Sequence, residues 1–169
     1  VYFTDNMGYI DINIIDATSG KKIKRAVKGN RSIEFEELKL LQPGVSWSPD
    51  GKKIVIAAKA GSKDAFHIIN TRNGNSKKIP FDLEGVFTPK WSPDGMRLAF
   101  VGNKNSASDI YTIDLNTNEI VNLTSDIFSD SEPSWHPSSS KLLFVSDRGT
   151  KIDRVPTTAV DMIDHNFEQ

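Results

Sequence analysis

The chain has 169 residues, 37% hydrophobic and 25% charged, with a formal net charge of −1 from 21 basic and 22 acidic side chains. That is ordinary globular composition. A near-zero net charge argues against a long-range field for nucleic acid or an anionic membrane, so neither is expected as a partner. The chain has no cysteine, which excludes disulfides, cysteine nucleophiles and thiolate metal sites. No apolar run approaches the ~20 residues of a membrane span, so no membrane insertion is expected.

The first residues, Val1-Tyr2-Phe3, read as the middle of a strand. They carry neither an initiator methionine nor the basic-then-apolar pattern of a signal peptide, so a piece of something longer is expected. Asp11–Asp16 is the first clear strand, followed by the turn Ala17-Thr18-Ser19-Gly20 and an alternating strand over Lys21–Val27. The cluster Lys21-Lys22 with Lys24-Arg25 is short and reads as a solvated strand face. Together, residues 1–29 form a partial unit. Residues 30–44 are an insertion in which Ser32–Leu41 predicts a short helix, with Ser32 as cap and Phe35, Leu38 and Leu41 on one face.

From there the chain repeats. W-S-P-D-G occurs at 47–51 and at 91–95, and a decayed copy, W-H-P-S-S, begins at Trp135, so the three tryptophans are spaced 44 residues apart. Each copy leads into a short apolar run: Lys53–Ala57, Arg97–Val101 and Lys141–Val145. Such runs suit strands buried on both faces. Two copies continue into a third strand, Ala65–Asn70 and Asp109–Asp114, and then a turn and a final strand, Ser76–Ile79 and Glu119–Leu123. Four short strands at this period are the signature of a propeller blade.

The expected fold is therefore all-β: a β-propeller of four-stranded antiparallel blades, here a partial ring of about three to four. The divisions are a partial blade at 1–29, the insertion at 30–44, blades at 45–80 and 88–124, a half blade at 133–149, and an irregular insertion or tail at 150–169.

The repeated pentapeptide is structural in this reading. Pro49 and Pro93 preset a turn, Asp50 and Asp94 accept backbone N–H groups, and Gly51 and Gly95 supply positive φ. Trp47, Trp91 and Trp135 offer surface to fill the wedge between blades.

W-S-P-D-G, Asp109-Ile110-Tyr111, Leu123-Thr124 and Phe144-Val145-Ser146-Asp147-Arg148 resemble the repeats of TolB-like propellers over residues 1–149. The resemblance implies a non-enzymatic scaffold binding a protein or peptide, extracytoplasmic in the bacterial periplasm or envelope. The alternative it implies is an accessory propeller of a peptidase, prolyl-oligopeptidase-like or metallopeptidase, whose catalytic domain lies elsewhere. It carries over no catalytic residue.

The residues themselves point the same way. Gly44-Val45-Ser46-Trp47-Ser48 lacks the last glycine of a hydrolase elbow. His67, His136 and His165 have no zincin spacing. Asp114–Glu119 lacks the glycine of a calcium loop. No catalytic, cofactor or metal residues are expected. Asp126, Asp130 and Glu132, just before the strand at Trp135, form an acidic loop at the expected channel mouth and are the candidate partner-binding residues. Unpaired blade edges at both ends invite self-association, either within a longer ring or between two copies.

Overall fold

The structure, a computed structural model, describes residues 2–6, 9–27, 37–38, 44–60, 63–105 and 107–148. Among these residues there is no helix, and every element is a strand. The first sheet holds β1 (Tyr2–Asn6), β2 (Tyr9–Ile15) and β3 (Lys22–Val27) in that order. The second holds β4 (Glu37–Leu38), β5 (Val45–Trp47), β6 (Lys53–Ala60), β7 (Lys63–Asn70) and β8 (Ser76–Pro80). The third runs β9 (Gly85–Trp91), β10 (Arg97–Lys104), β11 (Ala107–Asp114) and β12 (Ile120–Asn122), and the last pairs β13 (Asp130–Trp135) with β14 (Leu142–Ser146). All pairings are antiparallel. The described residues thus supply three strands of one blade, two whole blades and half of a fourth.

Where the sequence suggests a short helix, Glu37–Leu38 is a strand paired with Lys59 and Ala58. The second strand of the blade offers an edge there, and the backbone takes it. The rest of Ser32–Leu41, and the tail 150–169, lie outside the described residues.

Strand alternation explains how the blades stack. In β6, Ile54, Ile56 and Ala58 pack with Ile12 and Val27 of the preceding sheet. The intervening Val55 and Ala57 pack forward with Leu98 and Phe100 of β10. One blade later, Ala99 and Val101 turn forward onto Leu142, with Trp135 and Phe144 against the same cluster. A strand sandwiched between two neighbours has no polar face, which is why these runs are apolar at every position rather than at alternate ones. Among the described residues the largest buried cluster lies between the second and third blades. Phe66 meets Phe81 and Phe100 edge-on at 4.7 and 5.1 Å, and Phe100 stacks on Tyr111 at 5.5 Å.

The innermost strands share an irregularity. In β9 the partners jump from Phe87↔Val101 to Lys90↔Ala99, and in β13 from Ser131↔Val145 to Ser134↔Leu143. Gly44, Thr88 and Glu132, each three residues before a tryptophan, have φ of +33°, +45° and +54°. At Thr88 and Glu132 these are β-bulges, and Gly44 holds a similar backbone conformation just ahead of β5. Gly44 is held to glycine by space as well as by φ, since a Cβ there would lie 2.4 Å from the Thr88 Cα.

Candidate functional site

The W-S-P-D-G turns lock themselves. In the first, Gly51 donates its N–H to the Ser48 carbonyl at 2.9 Å and has φ +69°. The Ser48 hydroxyl donates to Asp50 Oδ1 at 2.6 Å, and Lys52 N–H donates to the same oxygen at 3.0 Å. The second copy repeats this with Ser92, Asp94 and Met96 at 2.6 and 2.9 Å, and Gly95 has φ +77°. The serine hydroxyl first, and then the backbone N–H, hold each aspartate carboxyl below its ordinary value. Pro49 lies beside Gly95, where a Cβ would sit 3.4 Å from its Cγ. The tryptophans do less filling than the sequence suggests: Trp47 is 38% exposed, and Trp91 and Trp135 are half-buried. The second strands fill most of the wedge, with Trp91 and Trp135 packed against the same clusters, and the Trp135 indole also ties two blades together. Trp135 Nε1 donates to the Lys90 carbonyl at 3.0 Å, and the Arg97 guanidinium sits 4.9 Å over its ring.

The decayed third copy keeps the turn with different atoms. His136 Nδ1 accepts the Ser138 N–H at 3.1 Å, standing in for the serine–aspartate pair. Ser139 holds φ +59° where the other copies have glycine. Its hydroxyl accepts the Asp94 N–H at 3.0 Å, and its carbonyl accepts Arg97 Nη2 at 2.5 Å. A side chain at this position serves the joint between blades.

Asp126 and Asp130 are both claimed by Arg148. Its Nε donates to Asp126 Oδ2 at 3.1 Å, Nη1 donates to Asp130 Oδ1 at 2.9 Å, and Nη2 contacts both carboxylates. Asp130 is fully buried. Burial opposes the Arg148 charge, but hydrogen bonds to Asp126 and the charges of both aspartates outweigh it and raise its pKa. Glu132 stands apart, exposed on the bulge of β13. Asp109, which the sequence reading did not single out, joins the first two: Asp109, Asp126 and Asp130 bring carboxylate oxygens within 4.8 Å of one another. Asp109 also accepts Asn122 Nδ2 at 2.8 Å and the Thr124 hydroxyl at 3.3 Å, clipping β11 to the end of β12. The cluster is a buried ion-paired joint at the entrance to the half blade. Arg148 was legible only as part of the segment Phe144–Arg148.

Antiparallel strands put the hairpins β6–β7 and β10–β11, and the connections between blades, on one face. The W-S-P-D-G turns and the β7–β8 and β11–β12 turns lie on the other. The first face carries an open groove of about 940 Å³ lined by Leu83, Lys104, Asp109, Tyr111, Asn122 and Ile127, among others. Ile127 is 84% exposed at its rim. Burial first, then the Asp109 charge, raises the Tyr111 pKa, so the phenol stays protonated. The arrangement offers hydrogen bonds and apolar contact over a broad surface.

The comparisons with known proteins agree with this architecture. No curated protein matches the chain. Among solved structures, TolB from Acinetobacter baumannii is similar at 24% identity and a TM-score of 0.64, over 83% of this chain and 33% of that one. The putative TolB from Agrobacterium tumefaciens is similar at 20% identity and 0.68, over 87% and 49%. The tricorn protease is similar at 17% identity and 0.58, over 92% of this chain and 15% of that one. The chain therefore spans between a third and a half of the TolB chains. The family model of the TolB beta propeller domain matches residues 30–155, and the chain belongs to that family.

Proposed function

We propose that the chain is part of a non-catalytic propeller scaffold that binds a protein or peptide, within a larger TolB-like protein of the bacterial periplasm or cell envelope. The observation carrying this reading is the groove between Leu83, Tyr111 and Ile127, which is wide, shallow and amphipathic. Such a surface suits a polypeptide, whereas small ligands are held in enclosed, mostly apolar pockets. The conspicuous residues of the repeat are engaged in turns and blade joints, Asp126 and Asp130 pair with Arg148, and Asp109 accepts from Asn122 and Thr124, which favours structural roles for them.

A second reading, an accessory propeller of a peptidase, draws on the likeness to the tricorn protease over 92% of this chain. One experiment addresses both. Proteins captured from a cell-envelope extract are compared between the chain and its Ile127→Asp and Lys104→Glu variants, with a peptide-hydrolysis assay alongside. Loss of a specific captured protein in the groove variants supports the scaffold. Capture indifferent to both variants, or hydrolysis by the chain alone, would sink it.

A further inference from the structure

The near-zero net charge hides a separation along the chain. Residues 1–80 hold fourteen Lys and Arg against eight Asp and Glu, while residues 81–169 hold seven against fourteen. The fold gathers part of the basic excess onto the face of the W-S-P-D-G turns. Lys24 Nζ donates to the carbonyls of Thr71 and Arg72, the latter at 2.9 Å. Thr71 in turn donates its N–H and its hydroxyl to the Lys52 carbonyl at 2.9 and 3.0 Å. Three distant segments thus bring Lys24, Arg72 and Lys52 together, the Lys52 ammonium lying 3.6 Å from Asp50, with Lys21, Lys22 and Lys78 exposed on the same two blades.

Beside this patch, between the second and third blades, lies a cleft of about 380 Å³. Lys53 and Lys77 flank it, Asn70 and Asn116 offer amides, and Ile68 and Leu115 supply an aliphatic floor. Among the described residues no carboxylate lines it. The corresponding positions of the next blade are Arg97, which reaches across to Ser139 and Trp135, and Val121. The cleft is therefore particular to this joint rather than a feature of every blade.

We propose that this cleft and the basic face around it dock an acidic polypeptide segment carrying an aliphatic side chain. Opposite charge steers the segment in, and the recessed floor takes the aliphatic group. Nucleic acid fits less well. Among the described residues Trp91 is the only ring in the lining, it is half-buried, and its indole N–H is held by the Gly95 carbonyl at 3.1 Å. Single-stranded binding relies on open aromatic platforms. A membrane surface fits less well too, because it is engaged by apolar groups that protrude, whereas Ile68 and Leu115 are recessed.

This inference rests on the protein-binding reading but places the contact on the face opposite the groove, so the two fail separately. Four probes are titrated against the chain: a labelled peptide alternating Glu and Leu, an all-Glu peptide, a thymine oligonucleotide, and vesicles containing phosphatidylserine. The Glu/Leu peptide should bind best, and joint Lys53→Gln and Lys77→Gln substitution should weaken it about tenfold. Asn116→Asp, which places a negative charge in the cleft, should weaken it independently. Lys104→Gln, at the groove, should leave binding unchanged. Both lysines are exposed, and unchanged thermal melting verifies that the variants fold. Binding that is absent, or indifferent to the cleft variants, overturns the proposal. So does tighter binding of the oligonucleotide or vesicles that the same variants abolish. Loss on Lys104→Gln alone overturns the cleft while leaving a protein-binding groove in place.

Discussion

The third blade and the half blade carry the same strand at the same repeat position, yet bury it differently. In β10, Ala99 is fully buried and Val101 is 5% exposed. In β14, their counterparts Leu143 and Val145 are 62% and 59% exposed. The residues facing back, Leu98 in one and Leu142 in the other, are buried in both. Burial in a blade is therefore conferred by its neighbour, one face at a time. The strand provides the apolar side chains, and the next sheet decides whether they leave water.

The largest expected test of that contrast is Phe100→Ala. Phe100 is fully buried and touches the Phe66, Phe81 and Tyr111 rings. Its truncation should cost about 3–5 kcal/mol by urea denaturation. A loss no larger than that of a surface change would break the comparison.

Next comes the anchor of the half blade. Arg148→Ala leaves Asp130, fully buried, without its cation and should cost about 3 kcal/mol. Adding Asp130→Asn should recover part of that loss, which a double-mutant cycle reads directly. Full additivity would show that the pair does not act as a unit.

The turns differ in titration. Asp94 has a depressed carboxyl, through the Ser92 hydroxyl and then the Met96 N–H, so its contribution to stability is present above the ordinary carboxylate pKa of about 4. It is lost as pH falls through the lower folded value. Asp94→Asn should flatten the acid limb of a stability–pH curve in that window. The half-blade turn, with Ser138 in the aspartate's place, has no carboxylate to contribute there. An acid limb unchanged in the variant would remove Asp94 as its source.

The smallest expected effect is that of Leu143→Ala, within about 0.5 kcal/mol, because the side chain is already in water. A substantially larger loss would mean that something covers this face in solution.

Much of the fold was legible because blades are local objects. The 44-residue spacing of Trp47, Trp91 and Trp135, the apolar second strands and the glycine turns at Gly51 and Gly95 are written in consecutive residues. The helix drawn over Ser32–Leu41 from its local periodicity gives way at Glu37–Leu38 to a strand, because a free edge of β6 outweighs a weak intrinsic preference. The candidate acidic loop was visible in Asp126, Asp130 and Glu132 but not its state, since its cation comes from Arg148, eighteen residues beyond Asp130.

By itself, then, the sequence determined the repeat, the strand order within a blade, and the turn chemistry. All three follow from φ preferences, alternation and side-chain to backbone hydrogen bonds within a few residues. Only the tertiary structure decided which face of each second strand is buried, where the inner strands bulge at Thr88 and Glu132, and how Arg148 closes on its two aspartates. It alone brought Lys24, Lys52 and Arg72 to one face beside the Lys53–Lys77 cleft. The physical reason is common to these cases: burial and charge proximity are set by neighbours that lie from eighteen residues to about one repeat away along the chain.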